Sequence, residues 1–177
     1  MRRAVSTLVV VAVSILVWVA PASGSPAPPE RPGHELTGTF SGTSTYEFSQ
    51  DPACNFVLEK YTGTYDPDRR GVPGGTYSMD VCISFGAPQG FGVDGTFVVS
   101  SPRLTLSGTV HGALTSLPDN SGLALDVTLT VTDSQAPGRP IRGTITATGI
   151  RTEPGGGIGS SVESGTFTAD LHRTRGR

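Results

Sequence analysis

Apolar and polar residues alternate with a period of two along most of the chain after Leu36. The clearest stretch runs from Leu123 to Thr132, where leucine or valine fills every second position and alanine, aspartate or threonine the positions between. Such alternation is typical of a β-strand with one face toward a core and one toward water. The 3.6-residue apolar period of an amphipathic helix does not occur there. The pattern therefore predicts an all-β protein.

A tripeptide of glycine, threonine and an apolar or aromatic residue recurs in nearly every such stretch. It occupies residues 38–40, 63–65, 75–77, 95–97, 108–110, 143–145 and 165–167. The glycine and the apolar residue share one face of the strand, and the threonine lies on the other. Two interpretations are open. The glycines either bend strands that curl around their own interior, or leave side-chain volume free for a guest.

The alternation predicts eight strands joined by short connections. They span residues 36–48, 56–66, 75–85, 93–99, 103–112, 123–133, 141–151 and 162–172. Short turns between consecutive strands favour an up-and-down meander, and eight strands can close on themselves. The predicted fold is a single antiparallel eight-stranded up-and-down barrel. A β-sandwich of immunoglobulin type is the alternative, and it is disfavoured because the one tryptophan, Trp18, precedes all the strands.

The chain begins with features of a secretory signal. Two arginines precede an apolar run over residues 8–20 that is short for a membrane span, and small residues follow it. These features predict a signal peptide over residues 1–24, cleaved after Ala22 or Gly24. An uncleaved membrane anchor is the alternative.

The remaining segments differ in composition. Four prolines among polar neighbours indicate a disordered leader over residues 25–35. A β-barrel domain over residues 36–172 and a basic tail over residues 173–177 follow. The predicted protein is secreted, either extracellular or associated with the cell envelope, and its mature form does not insert into a membrane.

Charge excludes two classes of partner. Two of the 13 basic residues lie in the predicted signal peptide, so 11 remain against 15 acidic residues and the formal net charge becomes −4. The arginines are dispersed along the sequence, apart from Arg69-Arg70 and the tail. We therefore expect no binding of nucleic acid or of anionic lipid.

The two cysteines, Cys54 and Cys82, are an even count in an exported chain, which predicts a disulfide bond. The alternation places Cys82 on the outward face of the third strand. The bond is then expected to hold the first inter-strand loop against the outside of the barrel, away from any central cavity.

The sequence predicts no catalytic residue, no metal site and no cofactor. Of the three histidines, His34 lies in the leader, while His111 and His172 fall on the outward face, so no inward general base activates a serine or threonine. The glycine-rich segment at residues 155–159 lacks the lysine and the helix of a phosphate-binding loop.

Glu59 is the most informative polar residue. Counting back from Gly63 places Glu59 and Tyr61 on the inward face, where a carboxylate needs a partner. A register shifted by one residue instead turns Phe56 and Leu58 inward and exposes Glu59. Both alternatives stay open.

Arg151 and Glu163 lie near the ends of the last two strands. They are expected to form an exposed ion pair worth under about 1 kcal/mol, or to rim a mouth of the barrel. The candidate ligand-binding residues are Glu59, Tyr61, Tyr65, Tyr77 and Phe97.

Part of the chain resembles a known family. Val131-Thr132, Gly138-Arg139, Gly143 and Gly149 are similar to a glycine-rich hairpin of the calycin-like barrels of the dirigent and allene oxide cyclase kind, and of small exported bacterial proteins that resemble them. Residues 133–137 replace the glycine-rich turn of that hairpin. The resemblance implies an eight-stranded barrel with an apolar interior, and it carries over no catalytic residue.

Three functions fit these observations. The first is an exported barrel that binds a small apolar ligand, with tyrosine hydroxyls orienting it. The second is a structural or interaction protein of the cell envelope with a filled barrel and an unknown protein partner. The third is a cyclase- or isomerase-like enzyme that acts by confinement. A cavity in the barrel would favour the first function over the second. An inward Glu59 beside Tyr61 would favour the third.

Overall fold

The computed structural model describes residues 34–87, 90–153 and 159–174. Its eight β-strands are β1 (His34–Phe48), β2 (Val57–Pro67), β3 (Gly75–Ala87), β4 (Gly90–Ser101), β5 (Leu104–Ser116), β6 (Leu123–Gln135), β7 (Ile141–Thr152) and β8 (Ser160–Arg173). No helix in the described part of the chain is long and apolar enough to cross a membrane. The predicted signal peptide, most of the predicted leader, residues 154–158 and the last three residues lie outside the described residues.

The strands form one closed antiparallel barrel in sequence order, and β1 pairs with β8 to complete it. The predicted fold is confirmed, and the alternative of a sandwich is wrong. Each predicted strand corresponds to an observed one. The largest differences are at β4 and β5, because their ladder continues past the predicted bounds to Gly90 opposite Thr115. His34, predicted in the leader, is the first residue of β1.

Every second side chain of each strand points into the barrel, as the alternation predicts. The buried aliphatic core is formed by residues such as Val81, Val110 and Leu114. The inward parity of Phe48 and Phe85 predicts that they are interior as well, and this prediction is wrong. They lie at strand ends, beyond the closed ring, and are 66% and 57% exposed.

Four phenylalanines cluster at the end of the barrel where Phe48 lies. Phe56 stacks on Phe91 with a centroid distance of 5.5 Å, and Phe85 lies 4.3 Å from Phe56. Phe48 contacts Phe56 edge-on at 6.2 Å. The cluster partly covers this end of the interior.

The two ends of the barrel have different connections. The β1–β2, β3–β4, β5–β6 and β7–β8 connections lie at one end, here called the disulfide end. The β2–β3, β4–β5 and β6–β7 turns, residues 68–74, 102–103 and 136–140, lie at the other end with the start of β1 and the end of β8. We call this the cavity end.

The inward glycines lie where aromatic rings or neighbouring backbones approach closely. A side chain on Gly63 would meet the Tyr77 ring at 2.6 Å, and one on Gly165 would meet the Phe40 ring at 2.9 Å. At Gly95 it would overlap the Asp80 carbonyl oxygen. These glycines are therefore bends and close contacts, and the interpretation that they leave volume for a guest is wrong.

The predicted disulfide bond between Cys54 and Cys82 is confirmed. Cys54 lies in the β1–β2 loop and is buried, while Cys82 stands on the outer face of β3 opposite Leu58 and Asp94. The bond therefore ties the loop to the outside of the barrel, as the alternation predicts.

Candidate functional site

An apolar cavity of about 270 Å³ opens at the cavity end of the barrel. All eight strands contribute inward side chains to its wall. Leucine, valine, isoleucine, alanine, methionine and phenylalanine dominate the lining, with the rings of Tyr65 and Tyr77 among them. Ser101 and Arg103 are polar lining residues at the mouth. The wall therefore favours a hydrocarbon surface.

Aromatic rings shape the cavity. Phe40 meets Tyr77 edge-on with a centroid distance of 6.0 Å, and Tyr65 meets Phe167 in the same way at 6.0 Å. An apolar cavity of about 150 Å³ is known to hold benzene, so a cavity nearly twice that size fits an apolar body of about ten carbon atoms.

A second feature is a cluster of polar side chains buried between β1, β2, β7 and β8. Glu59 is 1% exposed, and its Oε1 atom accepts hydrogen bonds from Arg151 Nη2 at 3.0 Å and Nε at 3.2 Å. The Ser44 hydroxyl donates to the same oxygen, and the Oγ atoms of Ser44 and Ser161 are 2.5 Å apart. The charge of Glu59 is thus paired inside the barrel, as a buried carboxylate requires.

Glu163 has a different environment in the same cluster. It is 1% exposed, and its Oε1 atom accepts a hydrogen bond of 2.5 Å from the Tyr77 hydroxyl. Burial raises the pKa of Glu163 to about 7, against the lowering effect of that hydrogen bond, and the nearby charge of Glu59 also raises it. Burial and the Glu163 carboxylate likewise raise the pKa of Tyr77. Near neutral pH, Glu163 therefore exchanges a proton while Tyr77 stays a phenol.

Three buried atoms in this region have no hydrogen-bond partner among the described residues. They are Oε2 of Glu59, Oε2 of Glu163 and the hydroxyl of Tyr61. Burial, followed by the charge of Glu59, raises the pKa of Tyr61 well above its usual range, so Tyr61 stays protonated. The cluster retains unused hydrogen-bonding capacity, which is uncommon for buried polar atoms.

The candidate ligand-binding residues divide between the two features. Tyr65, Tyr77 and Phe97 line the cavity. Glu59 and Tyr61 point inward but belong to the polar cluster and lie outside the cavity wall. Tyr77 joins the two features, since its ring is in the wall and its hydroxyl binds Glu163.

Two expectations from the sequence are wrong here. The register that exposes Glu59 is excluded, because Leu58 is 38% exposed and Glu59 is buried. The exposed Arg151–Glu163 pair is also wrong, since both side chains are buried and Arg151 binds Glu59 instead.

Sequence reasoning missed Ser44 and Ser161 as members of the cluster. The signal available for Ser44 is its inward parity, which it shares with Phe40. A serine is small enough to fill either face of a strand, so its parity alone does not reveal a hydrogen-bonded role.

His111 and His172 lie on the outer face, away from both features. Nδ1 of His111 is 2.6 Å from Asp94 on the outer face, and His172 is exposed there as well. Among the described residues, no group of three or more histidine, cysteine, aspartate or glutamate side chains is placed to hold a metal ion.

No protein-family model, curated protein or solved structure matches this chain. The resemblance to the dirigent and allene oxide cyclase barrels therefore stays a prediction. The barrel, its cavity and its buried polar cluster are the observations that bear on function.

Proposed function

We propose that the barrel binds a small apolar molecule, with a body of about ten carbon atoms, in its cavity. The cavity itself carries this proposal, because its wall is apolar and it opens to one end. Its inward residues Phe40, Tyr65 and Phe167 are only half-buried, as expected for side chains that border an unfilled space. A filled barrel, the premise of the interaction-protein alternative, would bury them.

The proposed site of action is outside the cytosol. The disulfide bond is compatible with an oxidising compartment. The basic and apolar pattern of residues 1–24 supports secretion through cleavage of a signal peptide.

Naphthalene, with ten carbon atoms, is a direct probe of the cavity. At ten times its dissociation constant, a ligand that binds only the folded state stabilises the protein by about 1.4 kcal/mol, which raises the melting temperature. Substitution of the lining residue Ala147 by leucine fills part of the cavity, so we expect Ala147→Leu to weaken naphthalene binding at least tenfold by calorimetry.

The matched control is Ala124→Leu, which adds the same atoms on the outer face of β6 and should leave naphthalene binding unchanged. If benzene, naphthalene and decane all leave the wild-type melting temperature unchanged, the proposal is wrong. The alternative function, an interaction protein with a filled barrel, would then be favoured.

Catalysis by confinement is a second candidate, because Glu59 lies inward beside Tyr61 and because Tyr77 links the cavity wall to Glu163. Tyr77 can give its hydroxyl proton to a ligand carbonyl while a solvent water takes up an α-hydrogen as a proton, which forms the enol. Protonated Glu163 can replace the proton that Tyr77 loses, and solvent reprotonates Glu163, so this is general acid catalysis. The probe is 2-tetralone, a ten-carbon ketone whose exchange of α-hydrogens in D₂O is followed by NMR.

We expect the wild-type protein to accelerate this exchange and Tyr77→Phe to abolish the acceleration while 2-tetralone still binds. Tyr65→Phe is the matched control, because Tyr65 also lines the cavity but lies outside the polar cluster. Equal rates with wild-type protein and Tyr77→Phe would exclude this role for Tyr77.

A further inference from the structure

Arginines that are far apart in the sequence meet at the cavity end. The up-and-down order of the strands brings every second connection to the same end of the barrel. The turns there carry Arg69, Arg70, Arg103 and Arg139, and the adjoining strand ends carry Arg142 and Arg173. None of these six side chains, here called the arginine rim, forms an ion pair within the described residues.

The connections at the two ends carry opposite charges. Carboxylates also occur at the cavity end, on Glu35, Asp66, Asp68, Asp133 and Asp170. Among them, Asp68 alone lies in a turn, and it accepts a hydrogen bond from Thr37 at 3.0 Å. The outermost layer of this end is therefore basic. The disulfide end carries Glu47, Asp51, Asp119 and Glu153, and the exposed basic residue nearest to it in the described part is Lys60, which pairs with Asp80 at 3.7 Å.

The same rim is partly apolar. Val72 and Pro73, in the turn after Arg69 and Arg70, line the mouth of the cavity, and Arg103 lines it from the next turn. Basic groups around an apolar opening complement a surface that has anionic groups outside and hydrocarbon beneath. A bilayer with anionic headgroups has this arrangement.

We propose that the cavity end docks on a bilayer that carries anionic headgroups, with the mouth of the cavity facing the lipid. The separation of charge orients the protein even though its overall charge is negative. This revises the expectation from net charge and sequence spacing, because folding collects the dispersed arginines. An apolar ligand concentrates in bilayers, so docking in this orientation brings the cavity to its source.

The test measures co-sedimentation of the whole protein with vesicles. One set contains phosphatidylcholine with about one-third phosphatidylglycerol, and the other contains phosphatidylcholine alone. We expect binding to the anionic vesicles only, and loss of that binding when salt rises from about 0.05 M to about 0.5 M. The double variant Arg70→Gln/Arg139→Gln should bind at least tenfold more weakly, since each basic residue near the surface contributes about fivefold.

The matched control is Gln50→Glu/Thr152→Glu, which changes the net charge by the same amount at exposed positions of the disulfide end. It should bind the anionic vesicles within about twofold of wild type, because those charges lie beyond the screening distance. Equal losses in both double variants would overturn the proposal. So would equal binding to both kinds of vesicle, or binding to polyglutamate without binding to vesicles.

The docking proposal is separable from ligand binding. Arg70 and Arg139 do not line the cavity, so Arg70→Gln/Arg139→Gln should bind naphthalene like wild type. Loss of vesicle binding with intact naphthalene binding supports docking by the arginine rim. Naphthalene binding without any vesicle binding by wild-type protein would overturn docking and leave the cavity function standing.

Discussion

Glu59 and Glu163 show two ways of keeping a carboxylate inside a small barrel. Glu59 is paired with the guanidinium of Arg151, so its charge is neutralised within hydrogen-bonding distance. Glu163 has a neutral phenol, Tyr77, as its hydrogen-bond partner, and burial raises its pKa despite this hydrogen bond. The two residues lie in one cluster, and the raised pKa of Glu163 places its change of protonation near neutral pH.

This difference predicts how stability depends on pH. The pKa of Glu163 is about 7 in the folded protein and about 4.5 in the unfolded chain, so the folded state binds more protons between these values. The free energy of unfolding should therefore fall as pH rises from about 4.5 to about 7, by up to about 3 kcal/mol from this residue. Glu163→Gln, which stays neutral, should flatten that decrease in urea unfolding measured at pH 5 and pH 7.5.

The control is Glu47→Gln, which removes an exposed carboxylate from the outer face of β1 and should keep the wild-type pH profile. The same decrease in wild-type protein and Glu163→Gln would show that another group titrates. Retention of the Tyr77 contact in the variant is expected, because the glutamine side-chain oxygen also accepts a hydrogen bond.

At the level of the strands, alternation was sufficient to predict all eight elements and their inward faces. It works because a barrel interior imposes one side-chain parity on every strand. It failed at the strand ends. Phe48 and Phe85 keep the inward parity, but the closed ring stops before them, and their exposure depends on where the neighbouring strands end.

The glycines mark a second limit of sequence reasoning. A glycine on the inward face predicts either a bend or missing volume, and the choice depends on a neighbour that is distant in sequence. Glycine is required at position 143 by the backbone conformation, since a φ of 137° disfavours other residues. At position 63 glycine is required because the ring of Tyr77 on the adjacent strand leaves no room for a side chain.

The candidate site was partly predictable for the same reason. Parity counted from Gly63 identifies Glu59 as inward, but not its partner, since Arg151 lies 92 residues away and reaches it across the interior. The arginine rim was also hidden, because its members are neighbours only once the turns assemble. Which side chains pair across the interior depends on how the barrel closes. The alternation along a single strand carries no information about closure.

At the scale of the molecule, the barrel is divided along its axis. The cavity end holds an apolar space behind a basic rim. The disulfide end is filled by aliphatic side chains and by the buried polar cluster around Glu59 and Glu163, and it is partly covered by four phenylalanines. Closure by the β1–β8 pairing does not involve the cysteines. The disulfide bond is therefore expected to stabilise a fold that the strands already define.

Removal of this bond gives a prediction for the whole molecule. Cys54 and Cys82 are separated by 28 positions, so the cross-link should contribute about 3 to 4 kcal/mol by restricting the unfolded chain. Cys54→Ala/Cys82→Ala should melt about 10 °C lower and still bind naphthalene, because neither cysteine lines the cavity. Wild-type protein reduced with dithiothreitol is the control, since it keeps both side chains and loses only the link. If reduction leaves the melting temperature unchanged while the double variant melts lower, the packing of Cys54 rather than the cross-link is what stabilises the barrel.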